Sequence, residues 1–227
     1  MSDKIRSMFA SISDKYDILN DILSFGMHRC WKIKLIKISD SKPEQKVLDI
    51  ATGTGDIAFL FADKNCSVTG IDLTPEMIEI ARKRSSGYKK CTPEFMVSDA
   101  QNLPFGDSTF DLISISFGIR NLDDYRASLR EMHRVLKSRG KIVILEFGQP
   151  LPPFSYFYNF YSKYFIPLIG KIVSGSNYAY SYLPETAAKF PADERFVDIL
   201  KSLKLFNNVT MYRLMYGVAY IYIINKL

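Results

Sequence analysis

The chain has 227 residues, 47% of them hydrophobic, a net charge of +6 and a pI near 9.1. That is enough chain to bury a full core in one domain, and its three cysteines, at 30, 66 and 91, are too few and too far apart for a disulfide framework or a C-x-x-C zinc site. The first residues hold no apolar h-region and no run of about 18 uncharged apolar residues occurs, so neither a secretory signal nor a membrane span is expected.

Residues 5–38 read as a helical prefix. Phe9, Ile12, Tyr16 and Leu19 follow helical spacing, and Ile22, Leu23, Trp31, Leu35 and Ile36 continue the apolar face. Ser24-Phe-Gly26 splits the prefix into two helices, and Ser39 to Gln45 connects it to the first strand. From 46 to about 147 strands and helices alternate. Strand 47–50 leads into a helix at about 55–63. Strand 67–71 ends at Asp72, and Thr74 with Pro75 offers an N-cap and a first-turn proline for a helix running to about Arg84. Strand 94–97 ends at Asp99. Strand 110–116 precedes a helix capped by Asp123, with Leu129, Met132 and Leu136 on one face. Lys141 to Phe147 is the fifth strand. Such alternation predicts an α/β fold, a mostly parallel sheet with helices on both faces and ligands at the carboxyl ends of its strands.

After Pro150 the texture changes. Phe154, Tyr156, Phe157, Tyr158, Phe160, Tyr161, Tyr164 and Phe165 crowd one stretch, and Tyr178, Tyr180 and Tyr182 come after them. This composition suits an apolar lid or a lipid-facing surface; a plain helical pair on the sheet edge is the other reading. A helix from Asp193 to Leu203 and an antiparallel pair, Asn208 to Arg213 and Val218 to Ile224, complete the chain. The organisation expected is one domain: a prefix or lid at 1–45, a cofactor-binding core at 46–150, the aromatic insert at 151–190 and a C-terminal helix and strand pair at 191–227.

The chemistry centres on Val47-Leu-Asp-Ile-Ala-Thr-Gly-Thr-Gly-Asp56. A buried strand, a glycine turn and a helix N-terminus make a cradle for a nucleoside cofactor. Gly53 and Gly55, with Asp72 seventeen residues after Gly55, also satisfy a dinucleotide fingerprint. Charge separates the two. A pyrophosphate at this turn would face Asp49 and Asp56, whereas S-adenosylmethionine carries a sulfonium and an ammonium and no phosphate. Asp72 suits two ribose hydroxyls, since ionised acceptors make the stronger hydrogen bonds. Asp99 suits the exocyclic amine of adenine, with Ala100 leaving room for the ring. The basic residues are spread along the chain, with a mild cluster from Arg29 to Lys37, and no RNA-binding signature occurs; no nucleic-acid partner and no metal are expected.

Val47 to Asp56, Gly70-Ile-Asp-Leu-Thr-Pro-Glu-Met77, Ser98-Asp-Ala-Gln-Asn-Leu-Pro-Phe105 and Arg134 to Lys137 resemble the motifs of class I S-adenosylmethionine-dependent methyltransferases. More narrowly, the sequence resembles the ubiquinone/menaquinone biosynthesis C-methyltransferases. Phe9 to Asp17, Asn20 to His28 with Trp31, Ile115-Ser-Phe-Gly-Ile-Arg-Asn121, Leu145 to Phe147, and Ser181 to Pro184 with Phe190-Pro191 carry this likeness over nearly the whole chain. It departs at Ala51-Thr52, at Ser138-Arg139, and in lacking a histidine shortly after Tyr220.

The resemblance implies a Rossmann-like, seven-stranded, mostly parallel sheet and methylation of a ring carbon of a prenylated quinol. The ring is demethylmenaquinol, 2-methoxy-6-polyprenyl-1,4-benzoquinol or both; a methyltransferase of another small molecule or of RNA is the alternative. Asp49, Gly53, Thr54, Gly55, Asp72, Leu73, Asp99, Ala100 and Ser116 form the expected cofactor set. Arg120, Asn121 and His28 are the catalytic candidates: Arg120 for phenolate charge or a proton-accepting water, Asn121 for orienting the ring hydroxyl, His28 with Tyr16 for proton handling or lid closure. A salt bridge from Arg120 to Asp123 or Asp124 is the structural alternative. Lys163 and Lys171 among the aromatics suit transient docking on an anionic leaflet, so the expected location is cytoplasmic, at the inner face of a membrane.

Overall fold

A computed structural model describes residues 3–13, 16–88, 91–158, 160–162, 164–165 and 185–226. Lys163, Lys171, Tyr178, Tyr180, Tyr182 and Ser181 to Pro184 lie outside the described residues, as does the side chain of Tyr16.

The prefix forms three helices: α1 (Asp3–Ile12), α2 (Tyr16–Ser24) and α3 (Met27–Ser39). The break at Phe25 and Gly26 falls where the sequence predicts it, with both residues at positive φ. The core continues as β1 (Lys46–Ile50), α4 (Asp56–Ala62), β2 (Ser67–Asp72), α5 (Pro75–Ser85), β3 (Glu94–Val97), β4 (Phe110–Ser116), α6 (Tyr125–Val135) and β5 (Leu136–Phe147). A helix Glu194–Ser202, then β6 (Phe206–Leu214) and β7 (Ala219–Lys226), end the chain.

Seven strands form one sheet in the order β3-β2-β1-β4-β5-β7-β6. β1 pairs in parallel with both β2 and β4, so the strand order reverses at its carboxyl end, where such sheets open a crevice. β7 runs antiparallel to β5 and β6.

Alternation along the strands feeds two cores. Ile142 and Ile144 of β5 pack with Leu129, Met132 and Phe196 on one face. Val143 and Leu145 pack with Trp31, Leu35, Phe61 and Leu112 on the other. Burying each such side chain is worth roughly 1.5–3 kcal/mol, and strands covered on both faces hold the crevice rigid.

Four local expectations shift, the first in the prefix, which forms three helices rather than the two expected. Asp124, not Asp123, caps α6, accepting from the Arg126 and Ala127 N–H groups at 2.9 and 3.0 Å. β5 begins at Leu136, so Leu136 leaves the α6 face and joins the sheet. Thr74 sits at the N-cap of α5 with Pro75 behind it, but its side chain makes no cap bond. No helix among the described residues is long and apolar enough to cross a membrane.

Candidate active site

A cavity of about 690 Å³, open to solvent, lies at the carboxyl ends of β1, β2, β3 and β4. Gly53, Asp72, Leu73, Asp99, Ala100, Ser116 and Asn121 line it, and the structure brings these expected residues together. Gly53 has φ +57°, and a Cβ there would point into open space. Its N–H donates to Asp72 Oδ2 at 3.0 Å, while the Thr74 N–H donates to Asp72 Oδ1 at 2.9 Å. The end of β2 is thereby tied to the glycine turn, and each carboxylate oxygen keeps acceptor capacity for a ligand. Burial pushes the Asp72 carboxyl up, against the hydrogen bonds from Thr74, Gly53 and Leu73 that hold it down. Asp99 Oδ1 accepts from the Gln101 N–H at 2.9 Å. Ser116 Oγ is buried with no hydrogen-bond partner among the described residues.

Other expected residues face elsewhere. Asp49 lies beneath the turn: its oxygens accept from Thr52 Oγ1 at 2.6 Å and Ser114 Oγ at 2.7 Å. Burial outweighs those two hydroxyls and pushes its pKa up to about 6. Thr54 Oγ1 donates to Asp17 of α2 at 2.9 and 3.1 Å, so it latches the prefix rather than lining the cavity. A Cβ on Gly55 would come within 2.9 Å of Phe59 and Phe95, so that glycine serves internal packing. Asp56 is held by Lys32 and Arg84, each at 2.9 Å. Burial opposes its charge, but the two cations hold its pKa down to about 2. The acidic company expected of four aspartates is therefore two in the cavity, Asp72 and Asp99. Sequence reasoning missed Phe9, Thr74, Phe117 and Gly118 as lining residues. Phe9 lay on the predicted apolar stripe of the prefix, and Phe117 and Gly118 lay within the stretch 115–121.

A second cavity, of about 800 Å³, is apolar. Leu23, Phe25, Trp31, Phe147, Phe154, Phe157, Tyr158 and Tyr161 line it together with Met215 and Val218. An aromatic wall divides it from the first. Phe117, which lines the first cavity, stacks on Phe147, which lines the second, with centroids 4.3 Å apart. Trp31 closes on both rings at 6.5 and 6.4 Å. Arg120 backs this wall. Its guanidinium lies 5.3 Å over the Phe147 ring, and Nη1 donates to Glu146 Oε1 at 2.5 Å and to the Phe117 carbonyl at 2.8 Å. Its ion-pair partner is therefore neither Asp123 nor Asp124. Arg120 lines neither cavity, whereas its neighbour Asn121 lines the first.

His28 also lines neither. It is buried, with Nδ1 2.7 Å from Ser24 Oγ. Burial and the nearby Lys32 charge lower its pKa to about 4, so it stays neutral near pH 7. The expectation that it handles protons for the reaction is corrected on these grounds.

Residues 1–226 match the ubiE/COQ5 methyltransferase family. The chain is 42% identical over 221 residues to the ubiquinone/menaquinone biosynthesis C-methyltransferase UbiE of Bdellovibrio bacteriovorus, covering 96% of this chain and 94% of that one. It belongs to the ubiE/COQ5 methyltransferase family. It is also 42% identical over 201 residues to the demethylmenaquinone methyltransferase of Thermotoga maritima, covering 86% of this chain and 84% of that one. In fold it resembles a SAM-dependent methyltransferase of Thermotoga maritima described as a possible histamine N-methyltransferase, with TM-score 0.68 at 18% identity over 97% of this chain and 99% of that one.

The first cavity of this ubiE/COQ5 family member fits S-adenosylmethionine. The orphaned Ser116 Oγ awaits a polar partner, and the space over Gly53 admits a ligand against bare backbone. Asp72 and Asp99 supply negative charge at two successive strand ends.

Proposed function

We propose that this chain transfers a methyl group to a ring carbon of a reduced, prenylated quinone: demethylmenaquinol, 2-methoxy-6-polyprenyl-1,4-benzoquinol or both. S-adenosylmethionine is the methyl donor; when bound, it supplies an electrophilic methyl on a sulfonium. The observation that carries the reading is the apolar cavity set against the cofactor cavity across a single aromatic wall. A polar cofactor on one side and a hydrocarbon tail on the other is what a prenylated acceptor requires. The names of the Bdellovibrio and Thermotoga relatives point the same way.

The chain's task is alignment. Holding the ring carbon in line with the methyl contributes about 7–11 kcal/mol of barrier reduction when the geometry is good. Asp72 holds the ribose, Asp99 and Ala100 the adenine, and Ser116 a polar group of the cofactor. Asn121, at the end of the turn after β4, orients the ring hydroxyl. Arg120 stabilises the phenolate that forms when that hydroxyl passes its proton to water in the open cavity, and water takes the ring-carbon proton after transfer; Arg120 acts across the Phe147 ring in an apolar region where charge acts strongly.

The tail binds in the second cavity. Each buried methylene is worth roughly 0.8 kcal/mol, so a few isoprene units dominate affinity. Phe25, Phe157 and Met215 line this cavity and are also exposed, beside exposed Tyr156, Phe160, Tyr164, Phe165 and Tyr216. That apolar face rests on the cytoplasmic leaflet while the substrate enters. The test is incubation with labelled S-adenosylmethionine and each quinol separately. Label in the ring methyl of either product is expected; label in neither ends the reading.

A further inference from the structure

One buried charge beside the wall has no part in cofactor or tail binding. Glu146, on β5, is fully buried. Its Oε1 accepts from Arg120 Nη1 and from the Phe147 N–H, the latter at 2.7 Å, and its Oε2 accepts from the Arg120 N–H at 3.3 Å. Arg120 is nearly as buried, with 5% of its side chain exposed. Two ions taken out of water seldom add net stability, because desolvation consumes their attraction. What such a pair does well is fix geometry. This one fixes the backbone of the turn Ile119–Asn121, the guanidinium and the amide of Phe147 at a single point. Arg120 Nη1 reaches on to the Phe117 carbonyl, so the backbones of both wall residues are tied to the pair.

We propose that Glu146 is a positioning residue for methyl transfer, its carboxylate setting the Arg120 guanidinium and the Phe117–Phe147 stack in register between the two cavities. The inference rests on the proposed role of Arg120 at the phenolate. Burial pushes the Glu146 carboxyl up, against the Arg120 charge and the Phe147 and Arg120 N–H groups that hold it down.

The test is a kinetic cycle over Glu146→Gln, Arg120→Ala and the double variant, with calorimetric Kd for S-adenosylmethionine and thermal unfolding alongside. Glu146→Gln is expected to lower kcat by about a hundredfold, the size of effect an ångström of misplacement brings, with cofactor Kd within about twofold. The double variant is expected to be no slower than Arg120→Ala alone. Glu146→Asp keeps the charge but shortens the reach, so a folded Glu146→Asp enzyme with depressed kcat supports the proposal even if Glu146→Gln does not fold. Normal kcat in a folded Glu146→Gln or Glu146→Asp, beside an impaired Arg120→Ala, overturns the inference alone. So do multiplicative losses in the cycle. A fully active Arg120→Ala overturns the reading of Arg120 and the inference with it.

Discussion

The two cavities share a wall but are assembled differently. The cofactor cavity is drawn almost wholly from strand ends and the turns after them, between Ile50 and Leu122, with Phe9 as the lining residue that the prefix contributes among the described residues. The apolar cavity gathers α2, α3, the end of β5, Phe154, Phe157, Tyr158 and Tyr161, and the turn Met215–Gly217 with Val218. A cofactor with fixed polar groups is held by donors and acceptors that the sheet itself positions. A hydrocarbon tail needs only area, and segments far apart in the chain supply it. The first cavity should therefore fail residue by residue and the second by degrees.

The largest loss is expected at Asp72. Its Oδ2 braces the glycine turn, its Oδ1 the turn after β2, and the carboxylate lines the first cavity; hydrogen bonds to a charged group are worth about 1.5–3 kcal/mol each. Asp72→Ala should raise the Kd for S-adenosylmethionine roughly several-hundredfold in calorimetry, while vesicle binding by the aromatic face is unaltered. An unchanged Kd would remove Asp72 from the site.

Arg120 tests the wall between the cavities. Arg120→Ala should lower kcat about a hundredfold, the scale of a lost electrostatic stabiliser, and leave the cofactor Kd within about twofold. A matching loss of cofactor affinity would instead make Arg120 a support of the first cavity.

Each cavity is also backed by a buried titratable group outside its lining, Asp49 and His28, and the two have opposite signs. Asp49 lies under the cofactor turn, and its folded pKa of about 6 exceeds its ordinary value near 3.8. The folded state holds the extra proton between those values, so Asp49 costs stability as pH rises from about 4 to 6. His28 lies behind Ser24 of the apolar cavity, and its folded pKa of about 4 is below its ordinary 6.5. There the unfolded state holds the extra proton, so stability rises over nearly the same window. Each shift is worth on the order of 3 kcal/mol, and the two largely cancel. In the cofactor-free protein, Asp49→Asn should leave Tm rising between pH 4 and 6.5, and His28→Gln should leave it falling. Parallel Tm curves for the three proteins would refute both assignments.

Strand ends were legible because runs of four to seven residues that close at Asp72 and Ser116, or two residues before Asp99, have one reading in an α/β chain, and their carboxyl ends converge. The glycine turn was legible as a site but not in its facing. Gly53, Thr54 and Gly55 are consecutive, yet one opens to the cavity, one reaches Asp17 and one packs on Phe59 and Phe95. In a tight turn with φ of +57° and +92°, adjacent side chains diverge, and no periodicity reports the directions. Arg120 failed for another reason. Asp123 and Asp124 were near in sequence, but Glu146 lies 26 residues on, brought close only by the pairing of β4 with β5. The one-residue error at the α6 cap is the same limit at shorter range, since two adjacent aspartates offer the same side chain to the helix end.

The smallest effect is expected at the mouth of the apolar cavity, and it separates the cavities most cleanly. Phe157 lines the cavity yet is 67% exposed, so only part of its surface is available to a tail. Full burial of a phenylalanine side chain is worth about 1.5–3 kcal/mol, and a partial share corresponds to about a tenfold change in affinity. Phe157→Ser should raise KM for a long-tailed quinol about tenfold. It should leave KM for a tailless ring analogue, and the Kd for S-adenosylmethionine, unchanged. Equal losses for long-tailed and tailless substrates would place the ring, rather than the tail, in this cavity. Because Phe157 is already exposed, its replacement leaves no void in the core, so folding is not the confounder it would be for Trp31 or Phe147. The tail-dependent part of KM is then a direct measure of how much hydrocarbon the second cavity holds.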